Sequence, residues 1–232
     1  MTNFKYKIAP ISSFLQIQEE LNLAVEYKRF IVIFGTTGFG KSIPLLNYAN
    51  DNELISYSAI RPAETPKRFF SRYNDIFGNQ KSEAEFQYKG TLDWLIQSTS
   101  YELINTKESI MLIIDEAGNF SKIAQAYLRQ VYDNIMSQSA LVLSGPDRYR
   151  MNMKNWNRDL TSPVPELISR VHKFIEIKKP TYDDIKLICH YNEIDDKKII
   201  KAISSKFGNL RHVKEYILRT HRGDMSWVNT SF

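Results

Sequence analysis

Phe30–Leu46 reads FIVIFGTTGFGKSIPLL. An apolar run of strand length leads into Gly35, Thr36, Thr37, Gly38, Phe39, Gly40, Lys41 and Ser42, and a helix begins after them. The octet is G-x-x-x-x-G-K-[ST], in the strand-before, helix-after context that a phosphate-binding loop requires. Its glycines let successive backbone N–H groups turn inward as an anion nest. The following helix N-terminus adds free donors and partial positive charge. Lys41 has the length to reach β- and γ-phosphates, and Ser42 carries a hydroxyl for Mg2+. Pro44 falls in the first helical turn, where a missing N–H costs little. A plain glycine-rich turn is the competing reading. The stretch predicts a nucleoside triphosphate site.

A second motif supports the first. Ile110–Ile114 is continuously apolar, as expected of a parallel strand buried on both faces, and it ends in Asp115-Glu116. At the C-terminal edge of such a strand, Asp115 is placed to hold Mg2+. Glu116 is placed to take the proton of an attacking water as general base. The alternative is a helix N-cap with a first-turn acid. Ala140–Leu143 is a further short apolar strand, ending in Ser144. If this strand lies between the two motif strands, Ser144 sits beside the γ-phosphate. Otherwise it is a strand-end turn residue.

Length and composition narrow the class. A chain of 232 residues can bury a large core, so one α/β domain with a small appendage is expected. No apolar run approaches the roughly 18 residues needed to cross a membrane, and the first residues lack a signal peptide's apolar core. The single cysteine, Cys189, excludes an internal disulfide and a cysteine-based zinc site. It lies on an apolar helical face and reads as core. A reducing, cytoplasmic setting fits. Net charge is +5, yet residues 170–222 hold 13 Lys and Arg against 7 Asp and Glu, while residues 1–169 hold 18 of each. The C-terminal excess is either a solvated helical surface or a basic face for nucleic acid.

The remaining elements follow in order. Residues 1–29 read as an N-terminal arm and a helix capped by Ser12 or Ser13. Leu54–Ile60 reads as a strand. Pro66 opens a helix in which Lys67, Arg68 and Arg72 fall near one face while Phe69, Phe70, Tyr73 and Phe77 face inward. That helix is either ordinarily amphipathic or a basic edge along a nucleic-acid path, which Arg61 would extend. Gly78–Glu85 is a polar connector, followed by a helix from Tyr88 or Thr91 to Leu103. Ala124–Met136 is helical. Residues 147–165 read as an unusually long connection, functional or mobile. Lys173–Ile177 is the last strand. From Lys178 onward the pattern is helical: Thr181 caps a first helix, Asp195 or Asp196 starts a second, and Asn209 or Leu210 a third. The four histidines are scattered and form no metal-type spacing.

With these residues in place, the chain resembles the AAA+ ATPases, and within them the transposition regulators of the phage Mu B, TnsC, TniB and IstB-like kind. The resemblance covers Phe30 to Arg222. It rests on the phosphate loop, on IMLIIDEA, and on LVLSGPDRY standing ahead of ELISRVHKFIEI. KKPTYDDI and FGNLRHVKEYI resemble the start and the sensor-two helix of a helical lid, and IRPAETPKRFF resembles the segment near DNA in that family. The resemblance implies a parallel sheet of order 5-1-4-3-2 with helices on both faces, a core over 30–178, a three-helix lid over 179–222 and a tail over 223–232. It implies ATP and Mg2+ as cofactors. Lys41 and Ser42 would be Walker A, and Asp115 and Glu116 Walker B. Arg170 would be an arginine finger reaching a neighbour's site, a residue type worth on the order of 10³–10⁵ in rate. Arg211 would be sensor two. The competing readings are an intrachain salt bridge for Arg170 and an ordinary lid-surface position for Arg211. Many relatives carry Thr or Asn where this chain has Pro146, which leaves Ser144 as the substitute and slow hydrolysis as an expectation.

The function implied is ATP-dependent, sequence-nonspecific binding of double-stranded DNA through the ATPase core. The protein would form a ring or helical filament with itself and recruit or activate a transposase, with no membrane involved. DNA contacts would come from Arg61, Lys67, Arg68 and Arg72. The rivals are a helicase-loader-like ATPase, a P-loop phosphotransferase and a protein-partner switch without DNA binding.

Overall fold

The computed structural model describes residues 4–77, 90–105, 111–159 and 161–228. Five strands form one sheet: β1 (Phe30–Gly35), β2 (Ile55–Ala59), β3 (Met111–Asp115), β4 (Ala140–Gly145) and β5 (Lys173–Ile177). Their order is β2-β3-β4-β1-β5 and every pairing is parallel. This is the expected 5-1-4-3-2 order read from the other edge. Parallel neighbours need crossover connections, and helices supply them. β4 lies between β1 and β3, so the ends of the three motif-bearing strands meet at one edge of the sheet. In open α/β sheets that carboxyl edge is where ligands bind.

The helices are α1 (Ser12–Glu26), α2 (Ser42–Asn50), α3 (Pro66–Phe77), α4 (Leu92–Asn105), α5 (Gln125–Ile135), α6 (Asp147–Trp156), α7 (Val164–Ile168), α8 (Tyr182–Tyr191), α9 (Lys197–Ser205) and α10 (Leu210–His221). Alternation along β1 explains the two covered faces. Phe30, Val32 and Phe34 enter one core with Phe69, Phe70 and Tyr73 of α3, Leu128 and Val131 of α5, and Tyr149 of α6. Ile31 and Ile33 enter a second core with Ile17 and Leu21 of α1 and Leu45 of α2. Among the described residues no helix is long and apolar enough to cross a membrane.

Several sequence expectations change. Residues 147–165 are not one long connection, because α6 and α7 occupy most of them. Tyr149 and Met153, four apart and thus on one helical face, are 1% and 2% exposed and anchor α6. Neither serine caps α1: the N-cap is Ile11, and no side chain closes the first turn. The Ser12 N–H and hydroxyl both donate instead to Asp184 of α8. The lid also gains two pieces. Ala9 and Ile11 of the arm and Trp227 of the tail are buried with Ile185, Ile188, Ile200, Ile203, Val213 and Ile217 of α8, α9 and α10. The arm therefore packs with the lid, while α1 packs on the sheet. Cys189 is buried in this lid core as expected. The connector Gly78–Glu85, the helix start at Tyr88, the Phe77 side chain, Ile110 and the last four residues of the tail lie outside what is described.

Candidate nucleotide site

The phosphate loop leaves β1 at Gly35 and enters α2 at Ser42. Gly38 and Gly40 have φ of 86° and 94°, the left-handed region that glycine adopts without strain. Both are also crowded. A Cβ on Gly38 would meet Asn209 at 2.5 Å, and one on Gly40 would meet Leu210 at 2.8 Å. Those neighbours belong to the lid: the Leu210 N–H donates to the Gly38 carbonyl at 2.9 Å. The lid is thus seated directly on the loop. Asn209 caps α10 by accepting from the Arg211 and His212 N–H groups, which fixes where Arg211 leaves the helix.

A cavity of about 260 Å³ opens between loop and lid. Thr37, Gly38, Gly40, Lys41 and Ser42 line it from the loop, Glu116 from the end of β3, and Arg211 from α10. The remaining predicted site residues are placed around it. Asp115 lies beneath, 2% exposed. Gly35 closes β1, and Thr36 and Phe39 line a neighbouring groove with Asp147, Arg150 and Lys179. Ser144 is fully buried and its hydroxyl has no hydrogen-bond partner. Pairing of Ile33 with Ser144 and of Ile114 with Leu143 sets Ser144 at the level of Asp115. Its neighbour two residues back, Val142, packs in the α1–α2 core, so Ser144 faces the side that carries the phosphate loop.

Electrostatics in the cavity are mutual. Lys41 is 7% exposed, and its ammonium donates to the Gly35 and Thr36 carbonyls at 2.6 and 3.1 Å. Burial lowers its pKa, against the opposing charges of Asp115, Glu116 and Asp147. Burial raises the Glu116 carboxyl, as does the Asp115 charge, while Lys41 and Arg211 pull it back. Glu116 also sits at φ 54°, ψ 35°, a left-handed conformation that costs a non-glycine residue of order 1–3 kcal/mol and clusters at functional sites.

The residues fit ATP and Mg2+. The loop's glycine conformations, the buried Lys41 ammonium and the orphaned Ser144 hydroxyl are all groups a polyphosphate would satisfy. Among the described residues no cluster of three or more His, Cys, Asp or Glu could hold a metal alone. Asp115 and Ser42 would leave most of a cation's shell to phosphate and water, which suits Mg2+.

Other predicted residues lie elsewhere. Arg170, at the end of α7, pairs with Asp133 of α5, Nε to Oδ1 at 3.0 Å, and donates to the Ser169 hydroxyl at 2.9 Å. That is the intrachain salt bridge of the competing reading. Arg211 instead lines the cavity. Arg61 and Arg68 are exposed and Lys67 half-buried along the start of α3. Arg72 differs from the expectation. It makes two bonds to Glu64, at 3.1 and 3.0 Å, and donates to the Ser58 hydroxyl and the Ala59 carbonyl. Its guanidinium ties α3 to β2 and does not face outward as a phosphate contact.

The sequence reading missed three contributions. Tyr6, Ile8 and Ile11 of the arm line the cavity with Ile188 and Leu210; the alternation Phe4, Tyr6, Ile8 was the available signal. Asp147 accepts from the Thr36 hydroxyl at 2.6 Å. Tyr57 donates to Asp115 at 2.9 Å. Neither of the last two had a sequence signal, since Tyr57 comes from the middle of β2 and Asp147 from the first turn of α6.

Comparisons with known proteins agree with the fold. By sequence, no curated protein matches. The fold is similar to that of Cdc6p from Pyrobaculum aerophilum (TM-score 0.68, 13% identity, 97% of this chain and 64% of that one). It is similar to ORC1 from Aeropyrum pernix in complex with DNA (0.65, 13%, 95% and 63%). AMPPCP-bound DnaA from Aquifex aeolicus is a third (0.59, 16%, 97% and 65%). The chain spans under two thirds of the length of each of these. The family described as AAA domain matches residues 24–151, more than half of the sequence and the part that carries both phosphate-site motifs: the chain belongs to the AAA domain family, and its sheet has the order of AAA+ P-loop ATPases.

Proposed function

We propose that this protein is an ATP-dependent DNA-binding switch that assembles on double-stranded DNA without reading its sequence and recruits or activates a transposase there. The observation that carries the nucleotide half is the meeting of Lys41, Ser42, Glu116 and Arg211 in one cavity between core and lid. The loop amides and Lys41 would hold the β- and γ-phosphates. Asp115 and Ser42 would hold Mg2+, which when bound neutralises phosphate charge. Glu116, its carboxyl raised by burial, would accept the proton of the attacking water. Arg211 would report the γ-phosphate to the lid. Arg170 of a neighbouring copy would complete the site, leaving its bond to Asp133.

The DNA half rests on the basic residues Arg61, Lys67 and Arg68 before and at the start of α3, of which Arg61 and Arg68 are exposed, and is supported by the similar ORC1 structure being a complex with DNA. The transposase rests on the resemblance of the lid and strand-four segments to the transposition regulators. The test is fluorescence anisotropy of unrelated labelled duplexes with Mg2+ and a slowly hydrolysed ATP analogue, with ADP, or without nucleotide. The analogue should tighten binding about tenfold or more, within the usual range of coupling between sites, and Lys41→Ala should abolish that gain. Equal affinity in all states would overturn the reading.

A further inference from the structure

Asp115 carries a hydrogen bond on each carboxylate oxygen. Oδ1 accepts from the Glu116 N–H at 2.9 Å, and Oδ2 accepts from the Tyr57 hydroxyl at 2.9 Å. The first donor is the next residue of the same chain turn. The second comes from a different strand: Tyr57 pairs with Ile113, two residues before Asp115, so the two side chains share a face of the sheet. The Tyr57 ring packs against the core beneath the phosphate loop, which fixes where its hydroxyl ends.

An aspartate's terminal torsion is broad, so a carboxylate held by one oxygen alone can swing. A second donor on the other oxygen removes that freedom. We propose that Tyr57 is a positioning residue for the divalent cation, bracing Asp115 so that its carboxylate is held in place for the cation that Asp115 and Ser42 would bind. The inference rests on the proposed nucleotide–Mg2+ site. Outer partners of metal ligands typically contribute about 10–100-fold to metal affinity, and Tyr57→Phe deletes this one while keeping the ring.

The experiment compares the affinity of a fluorescent, nonhydrolysable ATP analogue in EDTA and in saturating Mn2+, for the wild type, Tyr57→Phe, Asp115→Asn and the double variant. The expected result is that Tyr57→Phe still unfolds in a single cooperative transition and leaves affinity in EDTA unchanged. It should lose about tenfold of the tightening that Mn2+ gives the wild type, and a modest drop in melting temperature from the lost bond to Asp115 does not count against the inference. In the Asp115→Asn background the tyrosine change should add no further loss. Retention of the full Mn2+ gain would overturn the inference. So would an equal loss with and without metal, or additive losses in the double variant, since each makes Tyr57 a packing residue only. A wild type whose analogue binding ignores Mn2+ would overturn the metal site itself and the inference with it.

Discussion

Arg72 and its neighbours Lys67 and Arg68 look alike in sequence and differ in the fold. The Glu64 side chain is 1% exposed and Arg72's is 24% exposed, so removing the arginine strands a buried carboxylate. Breaking a buried pair this way costs about 3 kcal/mol or more. Arg72→Ala should therefore lower the melting temperature by roughly 6–12 °C, while the folded protein keeps its DNA affinity. Lys67→Glu with Arg68→Glu should do the opposite: little change in melting, weaker DNA binding, and a salt dependence shallower by about two phosphate contacts. Calorimetry and salt titration separate the two outcomes. If Arg72→Ala instead weakens DNA binding at unchanged stability, the assignment fails. The contrast also marks what was legible. That Lys41, Ser42 and Glu116 would meet at one cavity could be read because each belongs to a local motif. The fate of Arg72 could not, because its partner Glu64 lies across a turn and two of its acceptors lie on β2.

At the scale of elements, strands and their order were readable from short apolar runs and from where the motifs end them. What escaped was which elements share a core. The arm and Trp227 join the lid through contacts between chain ends far apart in sequence, and no periodicity encodes that. One carboxylate ties these parts together. Asp184 closes the capping box of α8 with Thr181 and accepts from the Ser12 N–H at 2.9 Å and from its hydroxyl. Burial works to raise its pKa, but the bonds from Ser12 and Thr181 outweigh it and the net shift is downward. A depressed folded value means stability that is present above the ordinary 3.8 and is lost as pH falls through the folded value. Thermal unfolding followed between pH 7 and pH 2 should show a loss in that acidic window. In Asp184→Asn the protein should be less stable at pH 7, by about 1.5–3 kcal/mol for lost bonds to a charged group, and the acidic loss should shrink. Identical pH profiles for the two proteins would contradict the role of this contact.

At the scale of the whole molecule, the nucleotide site is assembled from core, arm and lid, with the Leu210 N–H on the Gly38 carbonyl as the direct bridge. In the proposed switch, this bond would pass a change at the phosphates to the lid. Arg170 stands apart, held by Asp133 at 3.0 Å, and in the proposed switch it would act on a nucleotide across a boundary between copies. Both features make assembly the property on which the proposed switch depends. The measurement that tests this most directly is electron microscopy of the purified protein with Mg2+ and a slowly hydrolysed ATP analogue, with and without duplex DNA, for the wild type and Arg170→Ala. The account predicts rings or filaments of the wild type when analogue and DNA are both present, and their loss or marked shortening in Arg170→Ala. Single copies indifferent to both ligands would contradict it.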